Sequence, residues 1–182
     1  MPRFAVNCSI LFTEVPLLER FARARAAGFD AVETWWPAGI ELDDYAAAIK
    51  RAGVRLVLMN LDAGDMATGD RGLLNDPGAE ERIRENLALV LRYAARLGRP
   101  LLNALPGNLR PGEPREVQVA RVHERLRWMA PLAAEAGVTL LLEAINDIDS
   151  PRFLFPRTPD ILAALDAVGA PNVKYQYDVY HL

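Results

Sequence analysis

Glu143 ends the apolar run Val138-Thr-Leu-Leu-Leu142, and Asp178 and His181 stand three residues apart just after Val173-Lys-Tyr-Gln-Tyr177. Polar side chains that end parallel strands converge on one mouth, so these three residues are expected to share a site. Two carboxylates beside an imidazole make an oxygen-rich donor set suited to a hard divalent cation, Mg²⁺ or Mn²⁺. Glu33 ends a shorter run in the same way, and Asn7, Asn60 and Asn103 follow the first, third and fourth apolar runs. The structural alternative for each acid is an ion pair with an arginine at the sheet edge. Trp35 and Trp36 follow the second run and could wall a small substrate or cover the rim. His123 lies inside a helical stretch and reads as a surface or capping residue. Cys8, the single cysteine, reads as core and excludes an intrachain disulfide. With only two histidines, a zinc site needing several is also excluded.

Alternating strands and helices must position these groups. Phe4–Cys8, Ala31–Thr34, Val54–Asn60, Pro100–Ala104, Val138–Glu143 and Val173–Asp178 read as strands. Helices are expected from Pro16 to Ala27, over Leu42–Ala52, Glu80–Leu97 and Arg115–Ala136, and over Asp160–Ala167, with glycines closing them and Pro131 as a candidate kink. The polar stretch from Asp62 to Gly78 is too long for a tight turn and reads as a site-covering lid. Strand–helix alternation implies a parallel sheet, either doubly wound or a (β/α)8 barrel. Neither GxGxxG nor GxxxxGK[ST] occurs, which disfavours the doubly wound nucleotide-binding type. A barrel typically takes ~250 residues. The 182 residues supply about six βα units, so the expected architecture is an incomplete TIM barrel forming one domain over residues 1–182.

Composition narrows the partners. Hydrophobic residues make up 51% and charged residues 25%, with a net charge of -3, as in a globular protein without the basic excess of a nucleic-acid binder. No apolar run approaches the ~18 residues of a membrane span, and no secretory leader is evident, so a cytoplasmic location is expected. The sequon Asn7-Cys8-Ser9 lies in an expected strand and reads as chance.

At the strand ends the sequence resembles a known family. Glu143-Ala-Ile-Asn146 and Gln176-Tyr-Asp-Val-Tyr-His181 look like the EPIN and QYDxYH motifs of the hydroxypyruvate isomerase family. That family belongs to the xylose-isomerase-like TIM barrels, together with ketose 3-epimerases and endonuclease IV. Asn7-Cys-Ser9 through Phe12-Thr-Glu14, Glu33-Thr-Trp-Trp-Pro37, Asn60-Leu-Asp-Ala-Gly-Asp65, Gly69-Asp-Arg-Gly72 and Arg157-Thr158 follow in family order. Ala144 departs from the family's proline, and the two last strands, which would bring a glutamine and a glutamate ligand, are not in the sequence.

The resemblance implies that Glu143 is both a metal ligand and a catalytic carboxylate, and that Asp178 is a second ligand. His181, with Asn7 and Trp35, would contact the substrate, a small hydroxy-keto acid. The implied reaction converts hydroxypyruvate to tartronate semialdehyde, an aldose–ketose type isomerisation. A 2-oxo-tetronate isomerase or ketose 3-epimerase would use the same groups. Without its last strands the chain is expected to be inactive by itself, and a catalytically silent binding or assembly unit is the reading from another class. Unpaired edge strands leave homo-oligomerisation open. An endonuclease IV-like nuclease, which would need three zinc ions, is disfavoured by the histidine count.

Overall fold

The computed structural model describes residues 3–181. In chain order its elements are β1 (Val6–Asn7), α1 (Leu17–Ala26), β2 (Ala31–Thr34), α2 (Leu42–Ala52), β3 (Arg55–Asn60), α3 (Glu80–Tyr93), β4 (Leu101–Asn103), α4 (Arg115–Glu135), β5 (Leu140–Glu143), α5 (Thr158–Val168) and β6 (Val173–Gln176), followed by a 3-10 turn at Val179–His181. The six strands form one parallel sheet in the order β1-β2-β3-β4-β5-β6. A doubly wound sheet reverses its order at a switch point, whereas a barrel adds each strand beside the last. The unbroken order therefore gives a TIM-barrel-like α/β fold with six strands among the described residues.

Expected and observed bounds agree within a residue or two, apart from informative exceptions. The first strand shrinks from Phe4–Cys8 to Val6–Asn7, because its ladder pairs only Val6 with Val32 and Asn7 with Glu33. Phe4 lies outside that ladder and is exposed. The last strand stops at Gln176, and Asp178 starts a turn, its Oδ1 accepting from the Tyr180 backbone N–H at 2.9 Å. An aspartate that caps its own turn competes with the strand ladder. α3 closes four residues short of the expected Leu97, and α4 runs through Pro131.

β5 explains how a carboxylate comes to be buried. Leu140, Leu141 and Leu142 are all buried, as in a strand covered on both faces, and they carry Glu143 with them. Helix residues Leu87, Val90, Val122, Leu126 and Met129 belong to the same apolar core as Met59, Leu102, Leu140 and Leu142 of the strands. At β2 the buried Thr34 hydroxyl lies 2.6 Å from the Tyr45 hydroxyl of α2, tying strand to helix directly before Trp35. Cys8 is fully buried, as expected. His123 departs from its surface reading: it is half-buried beside the Phe155 ring, and burial holds its pKa below the ordinary value. No helix among the described residues is long and apolar enough to cross a membrane.

Candidate active site

A cavity of about 600 Å³ lies at the C-terminal ends of the strands. Asn7, Trp35, Glu143, Asp178 and His181, the five residues expected at the site, all line it, as do Glu33 and Asn60. A larger space of about 830 Å³ opens where β3 begins, but its lining includes no carboxylate. The acid chemistry belongs to the smaller cavity.

Glu143 is held by amides. Asn103 Nδ2, from the end of β4, donates to Oε2 at 2.7 Å, and Gln176 Nε2, from the end of β6, donates to Oε1 at 2.8 Å. Among the described residues no lysine or arginine lies within ion-pair distance of Glu33, Glu143 or Asp178, so the sheet-edge alternative does not apply. Burial pushes the Glu143 carboxyl up to about 7, with repulsion from Asp178 and Glu33 adding to it and the Asn103 and Gln176 amides opposing it. Glu33 is raised for the same leading reason, burial, with Asp178 adding and the Asn7 side chain opposing. Both clamping amides keep an unused carbonyl, Asn103 Oδ1 and Gln176 Oε1, each buried without a protein partner.

The imidazole is oriented by a direct contact with Asn146, itself fixed by backbone groups. Asn146 Oδ1 accepts the backbone N–H groups of Ile148 and Asp149 at 3.1 and 2.8 Å, which fixes its amide group to point Nδ2 the other way. Nδ2 then donates to Asp149 Oδ2 and to His181 Nδ1, at 3.1 and 2.9 Å. An Nδ1 that accepts leaves the proton of the neutral ring on Nε2, which faces Asp178 Oδ2 at 3.7 Å. The three-residue spacing of Asp178 and His181 spans one turn of 3-10 helix, which places both side chains on one side.

The stretch from Asp62 to Gly78 was expected to be a lid, and it is tied down at several points. Asp62 takes a bidentate pair from Arg82, with Nε at 2.6 Å and Nη2 at 2.9 Å. Gly72 donates its N–H to Ala63, and Asn108 Nδ2 donates to the Gly69 carbonyl at 2.9 Å. Gly72 has φ +119° and leaves no room for a side chain, since a Cβ would stand 2.1 Å from the Leu105 carbonyl oxygen. Gly72→Ala is therefore expected to destabilise the protein by about 2–4 kcal/mol, combining strain at positive φ with a forced backbone shift. Urea unfolding would measure it, and a change below about 0.5 kcal/mol, typical of an unconstrained surface site, would show that the loop has slack.

Comparison with known proteins accords with this geometry. Residues 21–182 match the xylose isomerase-like TIM barrel family. The chain belongs to that family. Among relatives of the xylose isomerase-like barrels, a putative hydroxypyruvate isomerase of Streptomyces coelicolor is 44% identical over 99% of this chain and 69% of its own length. The hydroxypyruvate isomerase of Escherichia coli is 37% identical over 100% of this chain and 70% of its own. A 2-oxo-tetronate isomerase of Cupriavidus necator is 38% identical over the same shares. The crystal structure of a family 2 AP endonuclease from Brucella melitensis superposes with a TM-score of 0.91 at 36% identity, covering 100% of this chain and 70% of that one.

The donor set fits the divalent ion that this family's resemblance implies. One ligand atom each from Glu143, Asp178 and His181 lie within 4.8 Å of one another, and the two carboxylates repel with no lysine or arginine of the described residues within ion-pair distance of either. With its Nε2 carrying a proton, His181 is oriented to donate, so the carboxylates are the groups that would hold the ion. Sequence reasoning did not commit to Glu33, although its place at a strand end was visible. It gave no role to Asn146 and Arg71, although both stand in motifs that follow the family, because their positions depend on loops folding over the cavity.

Proposed function

We propose that the protein is an isomerase interconverting hydroxypyruvate and tartronate semialdehyde, acting in the cytoplasm. The observation that carries this reading is Glu143 itself: a buried carboxylate, clamped by two amides, without a neutralising arginine, and poised near neutrality beside Asp178. A carboxyl with a pKa near the working pH can both take and return a proton. In the forward direction a C–H bond of the substrate's hydroxymethyl carbon breaks, its proton goes to a Glu143 oxygen, and the electron pair forms the C=C bond of an enediolate. The proton is then returned to the neighbouring carbon, the former ketone carbon, while the hydroxyl proton of the first carbon passes to the former ketone oxygen, which leaves an aldehyde beside a new secondary alcohol. His181 Nε2–H is the donor available to a substrate oxygen on which negative charge develops. Trp35, Leu105 and Ile145 supply the apolar walls that exclude water from that oxygen. A divalent ion held by Glu143 and Asp178 would supply Lewis-acid stabilisation of the same charge.

The match to a 2-oxo-tetronate isomerase favours a second reading, the same proton transfer on a four-carbon acid. Hydroxypyruvate, 2-oxo-tetronate and a ketose should be incubated in D₂O with Mg²⁺ or Mn²⁺ and followed by NMR. Isomerisation and deuterium uptake with hydroxypyruvate in preference to the others is the expected result for a form that carries all eight strands of the barrel, and little or none for the 182 residues by themselves. Preference for the four-carbon acid would install the second reading. No exchange with any of the three would leave a catalytically silent binding unit.

A further inference from the structure

Arg71 is the one lysine or arginine lining the acidic cavity among the described residues. Its Nη1 donates to the backbone carbonyls of Met66 and Asp70 at 3.1 and 2.8 Å. Those two bonds fix one side of the guanidinium, while Nε and Nη2 have no protein partner among the described residues. Glu33, Glu143, Asp149 and Asp178 line the same cavity, yet none lies within ion-pair distance of Arg71. Other arginines around these loops, Arg82, Arg110, Arg121, Arg125 and Arg157, each pair with a carboxylate. Arg71 is also held on a rigid support. Asp70 Oδ2 accepts the Asp65 N–H at 2.9 Å on one side of it, and Gly72 bridges to Pro106 on the other.

A planar, permanently charged fork with donors left over, facing a cavity, is suited to a carboxylate from outside the protein. The acids of the cavity cannot serve that purpose from where they stand. We propose that Arg71 binds the carboxylate of the substrate, making the cavity selective for small hydroxy-keto acids over neutral ketoses. This rests on the reading that the cavity binds such a substrate. A molecule with a carboxylate at one end and a hydroxyl–carbonyl pair at the other matches a cavity lined by both the Arg71 fork and the Glu143 carboxyl. A neutral sugar would leave the guanidinium's donors desolvated and unmet, and sites built to bond a polar group discriminate strongly against ligands lacking it.

Hydroxypyruvate and dihydroxyacetone are matched probes, differing by a carboxylate in place of a hydroxymethyl group. Their binding should be measured calorimetrically with saturating Mg²⁺ on the wild type, Arg71→Met and Arg71→Lys. Arg71→Met is expected to weaken hydroxypyruvate binding by roughly 10–100-fold, as for loss of hydrogen bonds to a charged group, and to leave dihydroxyacetone within about twofold. Arg71→Lys, which keeps the charge but not the fork, should fall between, and it serves as the test if the methionine variant does not fold. Equal weakening of both probes, or no change in either, overturns the proposal. Carboxylate selectivity without turnover would retain Arg71's role and remove the isomerase reading. Turnover of hydroxypyruvate with binding indifferent to Arg71 would do the reverse.

Discussion

Glu143→Gln is expected to lower hydroxypyruvate turnover of a form carrying all eight barrel strands by roughly a thousandfold, within the range that a positioned general base contributes, and yet to stabilise the metal-free protein at pH 8. The two effects share one cause. In the folded state the carboxyl titrates near 7, above the value of about 4.5 expected in the unfolded chain, because burial disfavours its charged form. A group raised in this way contributes stability that is fully present below the unfolded value and is lost as pH rises through the folded one. The metal-free wild type should therefore lose stability between about pH 4.5 and 7, by on the order of 3 kcal/mol, and the glutamine variant should lack that decline. The hydrogen bonds survive the exchange: the new side chain accepts from one clamping amide and donates to the unused carbonyl of the other after that amide rotates. Urea unfolding at pH 5 and pH 8 checks the stability half of the expectation. A variant less stable than the wild type at pH 8 would show that the charge is already neutralised within the protein.

Asp178→Asn should weaken Mn²⁺ binding by at least about a hundredfold, since even the hydrogen-bonding partners of metal ligands are worth roughly 10–100-fold. The asparagine oxygen still accepts the Tyr180 N–H, so the 3-10 turn and His181 should stay in place. Loss of affinity without loss of fold therefore separates ligation from architecture. Electron paramagnetic resonance of free Mn²⁺, read against a circular dichroism melt, is the measurement. An unchanged affinity would remove Asp178 from the ligand set and leave Glu143 to find other partners. Wild-type affinity should in addition fall as pH drops below about 7, because a proton on Glu143 competes with the ion.

The strand ends were legible in the sequence because period and punctuation agree there. Leu140-Leu-Leu142 could only be a strand buried on both faces, and a carboxylate directly after it had to reach the mouth of the sheet. Asp178 and His181 were legible as a pair, although not as a turn, since the capping bond that ends β6 early is a property of Asp178's own side chain. Whether Glu33 would meet an arginine was not written in its neighbours: the residue that raises its pKa along with burial is Asp178, 145 positions further along the chain. Arg71 was hidden for a similar reason. In the sequence it is the one basic residue of the polar stretch from Asp62 to Gly78, and only the fold shows that it lines the acidic cavity without a carboxylate partner. The stretch from Asp62 to Gly78 covers the site as expected, through Met66 and Arg71, but its anchors could not be read from length and glycine content, which say nothing of what ties the chain down.

Those anchors reach well beyond the loop. Asn75 Nδ2 donates to the Asn108 carbonyl at 2.6 Å and to the buried Gln118 Oε1 at 3.0 Å, and the buried Arg125 Nη1 donates to the carbonyls of Leu73 and Leu74 at 2.9 and 3.0 Å. Gln118 and Arg125 belong to α4, so residues 73–75 share their bonds with the longest helix of the chain. Peeling them away would strand several buried donors and acceptors at once, each of which is costly to leave unmet. In the language of cooperative unfolding, this segment is part of the same unit as the barrel and not a separately fluctuating one. Residues 73–75 are then expected to exchange their backbone protons only as slowly as the barrel core does, which hydrogen exchange would measure.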